Sequence, residues 1–242
     1  MLGMGGAPSS IPIAIAAALA VGALCGLFNG FLIGYFELPP MLVTLCGLKL
    51  FSGLGLGITG GPALNKLPDA YKFIANGTVI GGIPLILFIF IAVVLLVTFV
   101  MRRTVFGNQI YFMGSNKVAA KFSGINCLST TLKTYSFSGM LGGIVGVIIS
   151  SHFNSAKSDY GSTYTLMSIL IVVLGGVHPD GGRGRVMGVL LSIMLVQCIT
   201  QVFTLLKLDT NWKTFAYGLL LILALIFTIV QDKLAERQKS EY

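Results

Sequence analysis

The chain has 242 residues, of which 55% are hydrophobic and only 10% charged, and its formal net charge is +8. A soluble domain normally carries about 25% charged residues, so a water-facing surface over most of this chain is excluded. The basic residues stand in short loops without the aromatic interleaving of a nucleic-acid footprint, which argues against a nucleic-acid partner. We predict an all-α, polytopic integral membrane protein whose main surroundings are membrane lipid.

Seven apolar segments are predicted to cross the membrane, since about 20 mainly apolar residues span the hydrocarbon core as a helix. The predicted spans are Ile11 to Gly34, Pro40 to Ile58, Ile83 to Met101, Thr134 to Ser151, Thr163 to Val177, Val186 to Leu206 and Thr214 to Val230. The second span contains Lys49, and the fifth is short for a span. All of them are assigned to one transmembrane domain over residues 1–242.

The loops between these segments fall into two sets that differ in basic residues. The richer set holds Arg102, Arg103, Lys117, Lys121, Lys133, Arg183, Arg185, Lys233, Arg237 and Lys239, and the poorer set holds Lys66, Lys72, Lys157, Lys207 and Lys213. Cytoplasmic loops are enriched in Lys and Arg, so the richer set and the C-terminus are predicted to be cytoplasmic. Counting back through seven spans from a cytoplasmic C-terminus places the N-terminus outside. The first ten residues, however, contain no basic region that could act as a signal peptide. We therefore expect that an upstream part with an odd number of spans is missing, or that the span count differs by one.

Small residues recur at helix-packing intervals in the first and fourth spans. The stripe on the first is Gly22, Gly26, Gly30 and Gly34, and the fourth has the overlapping pairs Gly139 with Gly143 and Gly142 with Gly146. Such stripes let helix backbones approach closely in lipid. Both helices are therefore predicted to pack closely against neighbours.

Residues capable of covalent chemistry are isolated from one another. The cysteines Cys25, Cys46, Cys127 and Cys198 lack metal-ligand or redox spacing, and His152 and His178 stand apart. The run Gly181-Gly-Arg-Gly-Arg lacks the strand and the Lys-Ser or Lys-Thr of a nucleotide loop, so it indicates a tight turn. We predict that the chain is not an enzyme and binds no cofactor or metal.

Two loops are long enough to have roles of their own. The outer loop Thr59 to Gly82 is either a connector or a contact for an extracytoplasmic partner. The cytoplasmic loop Arg102 to Leu132 contains a predicted short amphipathic helix over Lys117 to Ser123, capped by Ser115 or Asn116 and ended by Gly124. Its apolar face fits either lipid headgroups or a groove on a cytoplasmic partner.

Four segments of the chain carry recognisable motifs. The cytoplasmic segment is Phe106-Gly-Asn-Gln-Ile-Tyr-Phe-Met-Gly-Ser-Asn116, followed by Ala119-Ala120 and Ser123-Gly124-Ile125. The others are Asn29-Gly30-Phe31-Leu32-Ile33 with Leu38-Pro39 and Thr44-Leu45, then Leu174-Gly175-Gly176 with Gly181-Gly182-Arg183-Gly184 and Gly188, and finally Leu206, Trp212 and Gly218. Together these four segments, in register, resemble ribose-type ABC importer permeases, and the resemblance covers nearly the whole chain in order.

The resemblance implies a bacterial-type plasma (inner) membrane protein whose cytoplasmic loop carries a coupling helix. That loop docks on an ATP-binding subunit, and the implied docking residues are Gly107, Asn108, Tyr111, Gly114, Asn116, Ala119, Ala120, Ser123 and Gly124. ATP and Mg would be bound by that partner. A second permease chain, identical or different, and an extracytoplasmic solute-binding protein complete the implied assembly.

Several positions depart from the pattern that the family shows. The family has about ten spans and an upstream G-G-I-D-L-S-V-G-like motif, which is absent here. It often has Arg-Gly where this chain has Ser52-Gly53, an acidic residue at Thr165, and Thr-Ser at Val177-His178. These departures leave the exact solute open.

Polar side chains inside the spans are candidates for a solute path, because burying them in lipid is costly. The candidates are Asn29, Thr44, Ser52, Gln197, Gln201 and Thr204, with Thr200 beside the last three. Amides and hydroxyls suit an uncharged polyol because they both donate and accept hydrogen bonds. Bonding between neighbouring helices is the alternative role.

The function indicated by these residues is the membrane-spanning subunit of an ATP-driven importer for a monosaccharide or sugar-like solute. A truncated, inactive or regulatory remnant of such a permease is one alternative. A secondary transporter is disfavoured, because Lys49 is the one ionisable residue within a predicted span and no inverted repeat is visible.

Overall fold

The computed structural model describes residues 10–61, 63–65, 67–78, 82–178, 181–207 and 209–240. In chain order its elements are α1 (Ser10–Tyr35), α2 (Pro40–Thr59), β1 (Leu64–Asn65), α3 (Asp69–Asn76), α4 (Leu85–Arg103), α5 (Val105–Ser115), α6 (Lys117–Phe122), α7 (Cys127–Phe153), β2 (Ser155–Ala156), α8 (Thr163–Leu174), α9 (Val186–Leu205) and α10 (Thr210–Ser240).

Each of the seven predicted spans coincides with a helix, which confirms the all-α, polytopic class. By length and composition, α1, α2, α4, α7 and α9 can each cross a membrane. The fifth predicted span is α8, which has only 12 residues. The last is the apolar stretch Asn211–Phe227 within the longer α10.

Helix boundaries follow prolines and polar caps. Pro39 precedes α2 and Pro84 precedes α4, where a residue without an N–H costs the helix no hydrogen bond. The Asn126 side chain accepts a hydrogen bond from the Ser129 N–H at 3.0 Å and caps α7. Helix α7 therefore begins seven residues before Thr134, where the span was predicted to begin. The prediction left out the first turns of α7 because they are polar.

The chain divides into two compact units. The first comprises Met1–Ile110 and Lys117–Gly161, and the second comprises Tyr111–Asn116 and Ser162–Tyr242. The boundary therefore falls inside α5. The assignment of residues 1–242 to one domain stays a prediction.

The core of the first unit is the antiparallel pair α1 and α7, joined through glycines. A methyl group at Gly26 would meet the Tyr135 carbonyl, one at Gly22 would meet the Gly139 carbonyl, and one at Gly143 would lie 2.6 Å from the Ala18 carbonyl. These contacts confirm the predicted close packing for the α1 stripe and for Gly139 with Gly143. The prediction is wrong for the second pair: methyl groups at Gly142 and Gly146 would meet nothing within 4 Å among the described residues.

The outer loop is more than a plain connector, because it contains a strand and a helix. β1 pairs antiparallel with β2, Leu64 opposite Ala156. Helix α3 packs on α7, where the buried Ser151 hydroxyl donates to the Tyr71 carbonyl at 2.7 Å and accepts from the Ala75 N–H at 3.1 Å. The Tyr71 hydroxyl lies 2.7 Å from the Ser150 hydroxyl. Two outer segments distant in sequence are thereby fixed to one another.

The second unit is built on the hairpin of α8 and α9. The Ser192 hydroxyl donates to the Ile171 carbonyl at 2.7 Å. A methyl group at Gly188 would meet the Gly175 carbonyl, and one at Gly175 would lie 2.8 Å from the Val189 Cα. Helix α10 packs on α8, and its Tyr217 hydroxyl lies 2.7 Å from the Thr200 hydroxyl of α9.

Candidate functional site

The predicted docking loop contains two helices where the sequence predicted one. The predicted short helix is confirmed as α6, with Gly124 following at a φ of +80°. Helix α5 was missed. Its signal was present in the sequence: Thr104 precedes the apolar residues Val105 and Phe106, and its hydroxyl accepts a hydrogen bond from the Gly107 N–H at 3.1 Å.

Gly107 fixes the start of α5 against the end of α4. It is buried, and a methyl group there would meet the Met101 carbonyl and lie 2.5 Å from the Val100 carbonyl. The Thr104 hydroxyl also donates to the Val100 carbonyl at 2.6 Å. Gly107 therefore positions the loop within the first unit, and its role in docking stays a prediction.

Helix α6 has a buried side and an exposed side. Ala120 is 3% exposed, whereas Val118 is 64% and Phe122 is 89% exposed. The Lys117 ammonium forms an ion pair with Glu37, in the α1–α2 connection, at 3.2 Å. Three predicted docking residues of the first unit, Ala119, Ser123 and Gly124, are exposed beside them, and Asn116, in the second unit, is exposed as well. Val118 and Phe122 were not among the predicted docking residues, because that prediction followed the small and polar positions of the family's loop.

The predicted docking residues Tyr111 and Gly114 belong to the second unit, where they contact the glycine-rich turn. The Tyr111 hydroxyl donates to the Gly184 carbonyl at 3.1 Å. A methyl group at Gly114 would meet the Gly182 N–H. Asn108, the remaining predicted docking residue, is exposed on the part of α5 in the first unit.

A cavity of about 1100 Å³ lies within the first unit, bordered by α1, α2, α3, α7 and the segment after β2. Of the predicted path residues, Asn29 and Thr44 line it. Ser52 does not line the cavity, but its carbonyl accepts a hydrogen bond at 3.0 Å from the hydroxyl of Ser158, which is a lining residue. Further polar lining comes from Thr59, Tyr71, Tyr135, Ser138, Ser150, Lys157, Ser158 and Tyr160.

Asn29 is the unsatisfied polar group of this cavity wall. Its Oδ1 is buried and has no hydrogen-bond partner among the described residues. It faces Gly47 of α2, where a methyl group would lie 2.7 Å from Oδ1. Thr44, by contrast, is satisfied within its own helix, since its hydroxyl donates to the Pro40 carbonyl at 2.9 Å. A buried amide oxygen without a partner costs free energy, so Asn29 is the stronger candidate for a functional role.

The three remaining path candidates lie on α9, in the second unit. Gln197, Gln201 and Thr204 are exposed along that helix. The Thr204 hydroxyl donates to the Thr200 carbonyl at 2.9 Å and accepts from the Lys213 ammonium at 3.1 Å. The hydrogen bonds of the Thr204 hydroxyl are therefore made to residues nearby in the sequence.

The sequence prediction missed two cavity residues on α7, Tyr135 and Ser138. Both stand next to glycines of the α7 stripe, Gly139 and Gly142, which also line the cavity. The signal was available in the sequence, since Tyr135 and Ser138 lie four residues before Gly139 and Gly142 and therefore share a helix face with them.

The chain shares its sequence pattern with known transport permeases. A family model described as branched-chain amino acid transport system / permease component matches residues 1–225. The autoinducer 2 import system permease protein LsrD of Yersinia enterocolitica is 36% identical over 227 residues, covering 91% of this chain and 68% of that protein. LsrD of Photorhabdus temperata is 34% identical over 226 residues, covering 90% of this chain and 68% of that protein. No solved structure matches the chain. The chain therefore belongs to the family of branched-chain amino acid transport system permease components.

Proposed function

We propose that this permease is the membrane-spanning subunit of an importer that takes up a sugar-like solute, driven by ATP hydrolysis in a partner subunit. Support for the solute class comes from the relatives, whose names assign them to autoinducer 2 import systems. The proposal of an ATP-hydrolysing partner rests on the exposed apolar face of α6, which is formed by Val118 and Phe122.

This face has the properties of a docking surface for the ATP-binding subunit. Val118 and Phe122 are one helical turn apart on α6, so they present one apolar patch, and Lys121 is exposed beside them. Amphipathic helices bind partners by placing such apolar anchors in a groove. The ATP-binding subunit is inferred to offer an apolar groove with an acidic rim, and to bind the ATP and Mg itself.

The contacts between loops support the topology in which this face is cytoplasmic. The α1–α2 connection meets the docking loop through Glu37 and Lys117, and the two outer loops meet through β1 and β2. Loops assigned to the same side thus contact one another within the first unit. With the basic docking loop inside, the chain ends in the cytoplasm after α10.

The cavity of the first unit is proposed as part of the solute path. Its described lining offers hydroxyls, the Asn29 amide and the Lys157 ammonium, and no carboxylate. Such groups suit an uncharged, hydroxyl-rich solute, because each hydroxyl or amide both donates and accepts hydrogen bonds. The tyrosines Tyr71, Tyr135 and Tyr160 add flat apolar faces to the same wall.

In the proposed mechanism, ATP binding by the partner moves the docking loop and switches access to the cavity from outside to inside. A second permease chain completes the membrane part, and an extracytoplasmic binding protein delivers the solute to the outer loops. The bacterial-type plasma (inner) membrane is the proposed location.

Uptake by cells tests the solute class. A strain lacking this gene is compared with the same strain carrying the wild-type gene or the Asn29→Ala variant, using labelled autoinducer 2 and labelled ribose. We expect the wild-type gene to restore ATP-dependent uptake of one of them and Asn29→Ala to restore several-fold less. If the wild-type gene restores uptake of neither, the proposed solute class is wrong.

A further inference from the structure

Within the second unit, the segment Tyr111–Asn116 and the turn 181–184 touch backbone to backbone. A methyl group on Gly181 would lie 3.2 Å from the Gly114 Cα, and one on Gly182 would lie 2.7 Å from the Ser115 N. A methyl group on Gly114 would meet the Gly182 N–H. Neither side has room for a side chain, so the fit depends on glycine in both segments.

The shape of the turn is fixed by its own bonds and by its glycines. The His178 N–H donates to the Arg183 carbonyl at 3.1 Å, and the Gly181 N–H donates to the His178 carbonyl at 3.0 Å. Gly181 and Gly182 adopt φ angles of +92° and +75°, which favour glycine over any other residue. The Tyr111 hydroxyl then binds the Gly184 carbonyl at 3.1 Å.

The turn is held firmly to the α8–α9 hairpin. Helix α9 begins at Val186, directly after the turn. Gly188 of α9 packs on Gly175 at the end of α8, and Ser192 bonds to Ile171. Closely packed backbones move together, because packed interfaces do not deform continuously. A displacement of Tyr111–Asn116 is therefore passed to the hairpin as a whole.

We propose that Tyr111 and Gly114 are positioning residues that carry the movement of the docking loop to the α8–α9 hairpin through the turn at 181–184. This inference rests on the proposed function, since it requires an ATP-binding partner that moves the loop. It assigns different roles to residues that are adjacent in the sequence: α6 binds the partner, and the end of α5 relays the movement. Gly107, in the first unit, secures the loop to α4 instead.

Hydrogen–deuterium exchange of the purified complex in lipid nanodiscs tests the relay. Exchange is compared with and without ATP and vanadate for the wild type, Tyr111→Phe and Gly114→Ala. Tyr164→Phe and Gly218→Ala serve as matched controls on the second unit: Tyr164 is 47% exposed, and a methyl group at Gly218 would meet nothing within 4 Å in the described structure.

In the wild type and both controls, we expect nucleotide-dependent exchange changes in peptides over 117–125 and over 181–190. In Tyr111→Phe and Gly114→Ala, the change over 117–125 persists, and the change over 181–190 falls at least twofold. If Gly114→Ala fails to assemble, Tyr111→Phe decides, because it removes one hydroxyl and leaves the backbone contact intact.

Two results would overturn the relay. One is an unchanged nucleotide response over 181–190 in both variants. The other is loss of the response over 117–125 as well, which would make Tyr111 and Gly114 part of the docking surface. Failure of the proposed function itself looks different, because the wild-type chain would then co-purify with no ATP-binding subunit.

Discussion

At the scale of single residues, the structure separates glycines and polar groups that have the same appearance in the sequence. Gly139 and Gly142 are one turn apart on α7, but Gly139 meets the α1 backbone and Gly142 faces the cavity. Asn29 and Ser151 are both polar residues in apolar surroundings. Ser151 makes two bonds to α3, whereas the Asn29 Oδ1 makes none among the described residues.

The two polar residues are expected to respond oppositely to truncation. Ser151→Ala leaves the Tyr71 carbonyl and the Ala75 N–H unpaired, so the free energy of unfolding should fall by about 1–3 kcal/mol. Asn29→Ala removes a buried oxygen that has no hydrogen-bond partner among the described residues, so stability should stay equal or rise. Thermal unfolding of the purified variants in detergent checks both. A larger loss for Asn29→Ala than for Ser151→Ala would show that Asn29 is a structural residue.

At the scale of elements, the packing of α1 on α7 holds the first unit together. Helices in lipid gain no hydrophobic driving force from association, so close backbone contact matters more than in water. The sequence shows two overlapping glycine pairs on α7 but not which of them meets α1. Glycines four residues apart lie on one face of the helix, and their spacing does not indicate which neighbour packs on that face.

A pair of methyl insertions on α7 tests this packing. Gly139→Ala forces a methyl group into the Gly22 carbonyl, and overpacking typically costs about 1–3 kcal/mol. Gly142→Ala meets no neighbour among the described residues and should leave stability unchanged. The melting temperatures of the two variants are compared with the wild type. Equal losses in both would contradict the assignment of Gly139 to the α1 interface.

The sequence predicted the long apolar helices and the short helix α6, but it did not predict the short helices α3 and α5. Long apolar runs leave few alternatives in lipid, so α1, α2, α4, α7 and α9 were predictable. Helix α3 was not, because its position depends on Ser151, which is distant in sequence. The start of α5 had a local signal in Thr104, but its end is positioned by the distant turn at 181–184.

At the scale of the whole molecule, the proposed function depends on the membrane topology and on a partner subunit. The basic docking loop, the turn at 181–184 and the C-terminus share one side in the proposed topology, and the three outer loops share the other. This arrangement follows from the alternation of the membrane-crossing helices and from the Lys and Arg content of the loops.

Thiol labelling in intact cells tests the topology. In a background without the four native cysteines, Lys157→Cys on the outer segment should react with a membrane-impermeant maleimide, and Lys121→Cys on α6 should react only after permeabilisation. Both side chains are exposed, so burial does not explain a difference between them. Labelling in the reverse order would invert the topology and place α6 outside the cell.

The proposed importer function, powered through α6, predicts that an ATP-binding subunit co-purifies with this chain. The chain is tagged at its C-terminus in its native cells, extracted in mild detergent, and its bound proteins are identified by mass spectrometry. Phe122→Ser removes the aromatic residue of α6, which is 89% exposed, and Phe73→Ser makes the same change at a 55% exposed residue of α3, which the proposed topology assigns to the outside.

We predict that an ATP-binding subunit co-purifies with the wild type and with Phe73→Ser. Loss of a central aromatic anchor costs about 2 kcal/mol or more, so Phe122→Ser should weaken this association about thirtyfold. Equal recovery of the ATP-binding subunit with the wild type and both variants would show that α6 is not part of the docking surface. Its absence from the wild type, under conditions where other importers of the same cells stay intact, would contradict the importer function itself.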